Sequence, residues 1–195
     1  MKMTGLEKLF VNRAGHSRRV ALRMAERLED LDTRPGQRYL DIGCGTGAAA
    51  IHVACAYGLR VTGVDLDPEQ VGMAETAARG LGDVTFHLAD ATCLPFPNAC
   101  FDVVAMNKTT HHIPGWRAAL AEMTRVVRPG GYILYEDLTV PRWMTPLLQP
   151  LVGRSAGVFT RHDLDERFRE LGLLAVRVSA SWGQYDAVFR RREEA

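Results

Sequence analysis

The strongest constraint on the fold of this chain is a regular alternation of short apolar runs with amphipathic stretches. The apolar runs have the length and composition of β-strands, and they lie at 38–42, 60–65, 83–88, 101–106 and 131–136. Helical spacing of apolar residues is found between strands, at 46–57, 68–80 and 116–127. Strands that alternate with helices are joined by right-handed crossovers, which predicts a mainly parallel sheet with helices on both faces.

The two ends of the chain depart from this alternation. Helical patterns at 4–13 and 17–31 precede the first strand. Near the other end, two β-rich runs at 174–179 and 185–190 flank a short turn that contains glycine, which is typical of an antiparallel hairpin. We therefore predict a doubly wound α/β fold with a mostly parallel seven-stranded sheet, preceded by N-terminal helices and closed by this hairpin.

The segment 39–47 connects an apolar strand to a helix through three glycines, with the sequence Tyr-Leu-Asp-Ile-Gly-Cys-Gly-Thr-Gly. Glycine permits positive φ and a close approach of ligand to backbone. The start of a helix offers free N–H groups and a partial positive charge, so the loop is predicted to hold an anionic or carboxylate-bearing ligand. The segment 43–48 also satisfies the G-x-G-x-x-G/A pattern of dinucleotide-binding proteins, and this alternative stays open.

Acidic residues end the next two strands. Asp65 comes at the tip of the second strand, where a carboxylate can accept hydrogen bonds from both hydroxyls of a ribose. Leu66 could then rest against an adenine face, and Asp67 is typical of a helix cap. Asp90 and Ala91 follow the third strand. An Asp after a strand is commonly a turn residue, but the glycine loop and Asp65 that precede it favour contact with the ligand.

The glycine segment resembles the first motif of the class I S-adenosylmethionine-dependent methyltransferases, whose loop wraps the methionine part of the methyl donor. Asp41, two positions before the first glycine, matches the acidic residue of that motif. Further matches follow in the family's order at Asp65, at Asp90 and at the Arg-Pro-Gly-Gly turn of 128–131. These matches cover residues 38–137. The sequence as a whole resembles the quinone-biosynthesis and small-molecule branch of the family.

This resemblance implies that S-adenosylmethionine is the donor and S-adenosylhomocysteine its product, with no metal. The implied cofactor-binding residues are Asp41, Gly43, Cys44, Gly45, Gly47, Asp65, Leu66, Asp90, Ala91 and Asn107. We predict one methyltransferase domain over 1–195. Its parts are a helical lead-in at 1–37, a cofactor-binding core at 38–137, a substrate-side insertion or lid at 138–160, and a closing helix and hairpin at 161–195.

The segment 107–113, after the fourth strand, is where catalytic residues are expected, because the resemblance places it over the donor methyl. It contains His111 and His112, and histidine can act as a base near neutral pH. We take both as candidate catalytic residues that contact substrate, with packing of the loop as the alternative. A general base is needed only if the acceptor must lose a proton.

The expected partner is a small-molecule acceptor, which could be apolar. Residues 138–152 are unusually apolar for a connection and could form a lid, pack in the core or touch a membrane surface.

The chain has 24 Lys and Arg against 23 Asp and Glu, so no overall field draws it to nucleic acid. A basic excess in the first 38 residues favours either weak membrane-surface contact or a solvated helix face. The oligomeric state stays open.

Cysteine usage and the absence of a signal-peptide pattern predict a cytoplasmic protein. The four cysteines form no C-x-x-C pair, and no apolar run approaches the roughly 18–20 residues of a membrane span.

Two other functions remain as alternatives. One is a protein that binds S-adenosylmethionine without catalysis. The other is an NAD-dependent oxidoreductase of the short-chain type, although no tyrosine here has the lysine four residues later that such an enzyme needs.

Overall fold

The structure is a computed structural model, and it describes residues 23–24, 26–152, 157–181 and 183–193. These residues belong to two compact units, one within 2–91 and the other within 92–195.

Only part of the N-terminal lead-in can be compared with the prediction. The predicted helix at 4–13 lies outside the described residues, as does the beginning of the predicted helix at 17–31. The later part of the second helix is described, and residues 26–29 are helical. Met24 and Leu28 are each 1% exposed, as their helical spacing predicts for the apolar face.

The first unit begins the predicted alternation of strands and helices. Its elements are β1 (Arg38–Ile42), α1 (Ala48–Tyr57), β2 (Arg60–Asp65), α2 (Pro68–Ala77) and β3 (Val84–Leu88). β1 pairs in parallel with β2, and β2 with β3. Asp67 caps α2 as predicted, since its side chain accepts a hydrogen bond from the Glu69 N–H at 3.0 Å. Because Ile42 pairs with Val64, the glycine loop and Asp65 leave the sheet at the same edge.

The second unit completes the alternation and adds the hairpin. Its elements are β4 (Phe101–Asn107), a 3₁₀ turn (Thr110–His112), α3 (Trp116–Val126), β5 (Val127–Leu138), a second 3₁₀ turn (Arg142–Met144), α4 (Thr145–Val152), α5 (Arg161–Glu170), β6 (Leu173–Ser181) and β7 (Gln184–Arg191). β4 and β5 are parallel, whereas β7 is antiparallel to both β5 and β6. Thr160 and Asp163 form a capping box that fixes the start of α5.

The strand order is β3-β2-β1-β4-β5-β7-β6 in a seven-stranded sheet. The three pairs within 38–88 and 101–138 are parallel, and the last two strands form the antiparallel hairpin. The predicted fold class is therefore confirmed.

The fifth strand begins earlier than its apolar pattern predicts. The pattern places the strand at 131–136, with Pro129 and Gly130 as a turn before it, but β5 begins at Val127, directly after α3. Val127 pairs with Phe101, and the register then shifts before Val103. Gly130 takes a φ of 72° within this irregularity, so the Pro-Gly pair forms a bulge inside the strand and not a turn outside it.

The apolar connection after β5 is partly exposed. Trp143 and Leu147 are 67% and 61% exposed, and Leu138 at the end of β5 is 42% exposed. The described residues therefore do not bury these side chains in a core. Within the described ranges, no helix has the length and apolar character needed to cross a membrane.

Candidate active site

Three glycines turn the chain between β1 and α1. Gly43, Gly45 and Gly47 have φ angles of 75°, 53° and 78°, in the left-handed region that residues with a Cβ disfavour. These three glycines alternate with Cys44 and Thr46, and the chain reverses direction within the five residues 43–47. The glycine pattern thus forms a tight loop at the carboxyl end of β1, as predicted.

The hydrogen bonds of this loop show which N–H groups are used within the protein. Gly43 and Cys44 both donate to the carbonyl oxygen of Val64, at 2.8 and 3.0 Å. By contrast, no side chain caps the N-terminus of α1 after Gly47. The first N–H groups of α1 are therefore the loop's best donors for a carboxylate, more so than those of Gly43 and Cys44.

Phe86 on β3 fills the space beside two glycines of the first unit. A Cβ on Gly47 would lie 2.5 Å from Cζ of Phe86 and 2.9 Å from the Cβ of Ala74. A Cβ on Gly63 in β2 would lie 2.5 Å from Cδ1 of the same ring. Gly47, predicted to contact the cofactor, is thus also required for packing. The sequence does not reveal this role, because a single phenylalanine in a strand gives no sign of what it contacts.

Asp65 holds the loop to the start of α2. Its Oδ2 accepts from the Gly45 N–H and its Oδ1 from the Asp67 N–H, both at 2.9 Å. The side chain remains partly accessible. A carboxylate oxygen can accept more than one hydrogen bond, so Asp65 can keep both contacts and still receive two hydroxyl groups.

The other residues predicted to contact an adenosine lie at the same edge of the first unit. Leu66 is 46% exposed, as a residue that covers an aromatic ring should be before its ligand binds. Ala89 donates its N–H to the carbonyl of Asp65 at 3.0 Å, which brings the exposed Asp90 and the half-exposed Ala91 next to the end of β2. The structure therefore brings the predicted ribose and adenine contacts together.

Asp41 is a buried carboxylate in β1. It is 4% exposed, and no donor among the described residues lies within hydrogen-bond distance of it. Burial, and secondarily the negative charge of Asp65, raises the pKa of Asp41 from 3.8 to about 7. An ammonium group brought into this site would supply the missing partner and favour the ionised form.

We expect Asp41→Asn to stabilise the ligand-free protein above pH 7. The raised pKa means that the folded protein retains a proton that the unfolded chain loses, so the wild-type free energy of unfolding falls as pH rises from about 4 to 7. Each pKa unit is worth about 1.4 kcal/mol, so the gain in the variant should be a few kcal/mol at pH 8 and near zero at pH 4. Urea denaturation across this range measures it, with the exposed Asp83→Asn as control.

Gln70 on α2 lies next to the loop and was not singled out from the sequence. It is fully buried, and neither atom of its amide has a hydrogen-bond partner among the described residues. Its Oε1 would lie 3.7 Å from a Cβ on Gly45, an ordinary van der Waals distance. The space beside Gly45 can therefore accept a methyl group, unlike that beside Gly47.

In the second unit, polar groups gather where β4 and β5 end. Asn107, predicted to reach the cofactor, donates its side-chain N–H to Oε2 of Glu136 at 3.3 Å. Lys108 follows with a φ of 48° and places its ammonium 3.7 Å from Oε1 of the same carboxylate. Neither Lys108 nor Glu136 belongs to a motif, so the sequence alone does not assign them to the site.

His111 is held by a buried carboxylate at the end of β5. Oδ1 of Asp137 lies 2.5 Å from Nδ1 of His111, and Oδ2 accepts from the Thr110 N–H at 2.7 Å. Asp137 is fully buried, whereas the His111 side chain is 26% exposed. A carboxylate only accepts, so Nδ1 carries the hydrogen and the neutral ring keeps its lone pair on Nε2. The contact with Asp137 therefore fixes the orientation of the His111 ring and leaves Nε2 free to accept a hydrogen bond.

His112 lies against the ring of His111. The two imidazole rings have centroids 4.0 Å apart, tilted by 44°. The geometry thus separates the two predicted histidines into one that is oriented by a carboxylate and one that packs on its neighbour. Among the described residues, no group of three or more His, Cys, Asp or Glu is arranged to hold a metal ion.

Comparison with known proteins finds several methyltransferases among the similar proteins. A family model described as a methyltransferase domain matches residues 40–135. The 27-O-demethylrifamycin SV methyltransferase of Amycolatopsis mediterranei is 38% identical over 173 residues, which cover 86% of this chain and 58% of that protein. The demethylmenaquinone methyltransferase of Geobacillus kaustophilus is 31% identical over 176 residues, which cover 76% of this chain and 75% of that protein.

A solved structure agrees at the level of the fold. The geranyl diphosphate C-methyltransferase of Streptomyces coelicolor A3(2) superposes with a TM-score of 0.74 at 18% identity, covering 90% of this chain and 80% of that one. Several of the curated relatives are longer, and this chain spans about half the length of an O-methyltransferase from Aspergillus nomiae. With the glycine loop, the strand-end carboxylates and the strand order in agreement, the chain belongs to the class I S-adenosylmethionine-dependent methyltransferases.

Proposed function

We propose that this protein transfers the methyl group of S-adenosylmethionine to a hydroxyl group of a small-molecule acceptor. The observation that carries the proposal is the contact of His111 with the buried Asp137, which leaves Nε2 of the imidazole ready to take a proton. A hydroxyl is a poor nucleophile until its proton is removed, whereas an amine attacks with its own lone pair. Names of relatives that include O-methyltransferases agree with this acceptor class.

The residues of the first unit fit the donor. The ammonium of its amino-acid part would partner the buried Asp41, and its carboxylate would meet the uncapped N-terminus of α1. The two ribose hydroxyls would donate to Asp65, with Leu66 and Asp90 on the adenine side. In the second unit, Asn107 is the remaining residue we assign to the donor. When bound, S-adenosylmethionine supplies an activated methyl group on a sulfonium.

The protein's own residues then have two tasks. One is to hold the acceptor hydroxyl in line with the methyl carbon at about 3–3.5 Å, because positioning supplies much of the rate in such displacements. The other belongs to His111, which takes the hydroxyl proton on Nε2 while Asp137 stabilises the resulting imidazolium. His112 supports the ring of His111 by packing. No step requires a metal ion.

We propose that residues 138–160 contact the acceptor. Trp143 and Leu147 are two exposed apolar residues of this segment that would cover an apolar molecule. Gly157, in the same segment, donates its N–H to the carbonyl of His111 at 3.0 Å, which ties the segment to the base. Contact with a membrane surface is the competing use of these side chains, and vesicle sedimentation would distinguish the two.

We further propose that the chain acts as one methyltransferase domain in the reducing cytoplasm. The four cysteines, Cys44, Cys55, Cys93 and Cys100, form no disulfide, which agrees with that compartment. Two alternatives make different predictions. A non-catalytic binder would hold S-adenosylhomocysteine without methylating anything, and an oxidoreductase would bind NAD.

Calorimetry with S-adenosylhomocysteine and with NAD tests the donor site. We expect the first to bind and the second not to bind. Asp65→Ala should weaken the binding of S-adenosylhomocysteine by about 10²- to 10⁴-fold, because two hydrogen bonds to a charged group are worth roughly 1.5–3 kcal/mol each. The exposed Asp83→Ala is the matched control and should bind normally.

Incorporation of labelled methyl groups into a metabolite extract tests catalysis and identifies the acceptor. We expect a labelled product that carries a new methyl ether. Binding of S-adenosylhomocysteine without any label in the extract would favour the non-catalytic alternative. A product methylated on nitrogen or carbon would contradict the hydroxyl as the acceptor.

A further inference from the structure

Gly157 lies directly against the turn that carries His111. Its N–H donates to the carbonyl oxygen of His111 at 3.0 Å. A Cβ at this glycine would lie 2.9 Å from the carbonyl oxygen of Thr110 and 3.0 Å from that of Ile113. Both distances are shorter than an ordinary contact between a carbon and an oxygen atom. A side chain at position 157 would therefore force the two stretches of backbone apart.

The turn is held more firmly than the residues that pack on it. The carbonyl of Thr110 already accepts the N–H of Ile113 at 2.9 Å. The buried Asp137 accepts the N–H of Thr110 at 2.7 Å and also contacts the ring of His111. Because the crowded atoms belong to the backbone, no side-chain rotation can make room for a methyl group. A substitution at position 157 would thus displace the neighbours of that residue and leave the turn in place.

Phe159 joins this contact to the apolar residues that follow β5. Its carbonyl accepts the N–H of Val140 at 3.2 Å. Its ring is 1% exposed and packs on Trp116, with 5.1 Å between the ring centroids. The exposed Trp143, which we propose contacts the acceptor, follows three residues after Val140. The contacts of the described residues therefore connect the turn with the start of the acceptor-binding connection.

We propose that Gly157 is a positioning residue that sets the acceptor-binding residues in their place relative to His111. This inference rests on the proposed function, because it takes His111 as the group that receives the acceptor's proton. A side chain at position 157 would move the acceptor-binding residues and leave the imidazole on Asp137. The loss should therefore fall on acceptor affinity, whereas the donor-binding residues of the first unit should be unaffected.

Gly157→Ala tests this role in steady-state kinetics with the acceptor found in the extract. We expect the KM of the acceptor to rise by about 10-fold or more, since small errors of position are costly, and kcat to fall by no more than about threefold. S-adenosylhomocysteine should bind within about twofold of the wild-type affinity, and its calorimetric stoichiometry gives the concentration of folded protein. Gly72→Ala places a methyl group where no atom lies within 4 Å and is the matched control.

Phe159→Leu loosens the same connection without placing an atom against the turn, so it keeps the test valid if Gly157→Ala does not fold. We expect the acceptor KM to rise by about 3- to 10-fold and the Tm to fall slightly. Phe101→Leu is the control for the loss of a buried ring, because Phe101 is 6% exposed and begins β4, at the end of the strand away from His111. It should lower the Tm and leave the acceptor KM unchanged.

The possible outcomes separate this inference from the proposed function. If Gly157 and Phe159 served packing alone, their variants would lower the Tm and keep the acceptor KM, which would overturn the inference. A lower kcat with an unchanged KM would also overturn it, because the turn and not the acceptor-binding residues would then have moved. Methyl transfer by the wild type with either result rejects only the role of Gly157. Absence of methyl transfer by the wild type rejects the proposed function and this inference with it.

Discussion

His111→Ala lowers kcat by about 10²- to 10⁴-fold, the usual contribution of a general base, with little change in affinity for S-adenosylhomocysteine. The reason is that the variant keeps the glycine loop and Asp65 and loses only the group that takes the hydroxyl proton. Single-turnover rates with the acceptor found in the extract measure the effect. His162→Ala, an exposed histidine at the start of α5, is the control and should react at the wild-type rate.

Asp137→Asn should reduce kcat by about 10²-fold or more while the ring of His111 remains present. An amide in place of the carboxylate can donate to Nδ1, which moves the hydrogen of the neutral ring to Nε2 and removes the basic lone pair from the reacting side. The rate of both variants should rise with pH, as the hydroxyl ionises by itself. Full activity of Asp137→Asn would show that the contact only supports the fold.

The second large effect concerns two glycines of the same loop. Gly45→Ala and Gly47→Ala both place a Cβ at positive φ, which costs roughly 1–2 kcal/mol. Only the second also forces a methyl group against Phe86 and Ala74, and overpacking adds about 1–3 kcal/mol. We therefore expect Gly47→Ala to lower the free energy of unfolding by about 2–5 kcal/mol and Gly45→Ala by only about 1–2 kcal/mol, as measured by urea denaturation.

For donor binding we expect the opposite order: a side chain at Gly45 should impair binding directly, whereas the main effect of a side chain at Gly47 is on stability. Gly45 is not crowded by the protein, so a side chain there acts mainly by keeping the ligand from the backbone. Gly45→Val should fold and lose S-adenosylhomocysteine binding. Adding Phe86→Leu to Gly47→Ala should restore stability by relieving the contact with the ring. A Gly45→Val protein with normal affinity would contradict the position we assign to the donor.

How much of this site the sequence predicts depends on how its residues are connected. The glycine loop is contiguous, and Asp65 ends a clear apolar run, so local pattern and strand order predict their meeting at one edge. Asp67 as a cap likewise needs only its immediate neighbours. These features follow from secondary structure, which hydrophobic periodicity determines well here.

The missed residues are joined to the site only by tertiary structure. Asp137 lies 26 positions after His111, and nothing local relates the two. A usable signal did exist, because Glu136 and Asp137 end an apolar strand as Asp65 and Asp90 do. Phe86 and Gln70 carry no such signal, since a buried phenylalanine or a helical glutamine is ordinary until its neighbours are known.

The double hydrogen bonding of Asp65 has a consequence for the thermodynamics of donor capture. Because Gly45 and Asp67 are already tied to one carboxylate, the loop adopts its shape before any nucleoside arrives. Preorganised sites lose less conformational entropy on association. Association should therefore show a small heat-capacity change and an on-rate close to that of simple encounter, without the slow phase that an ordering loop would add.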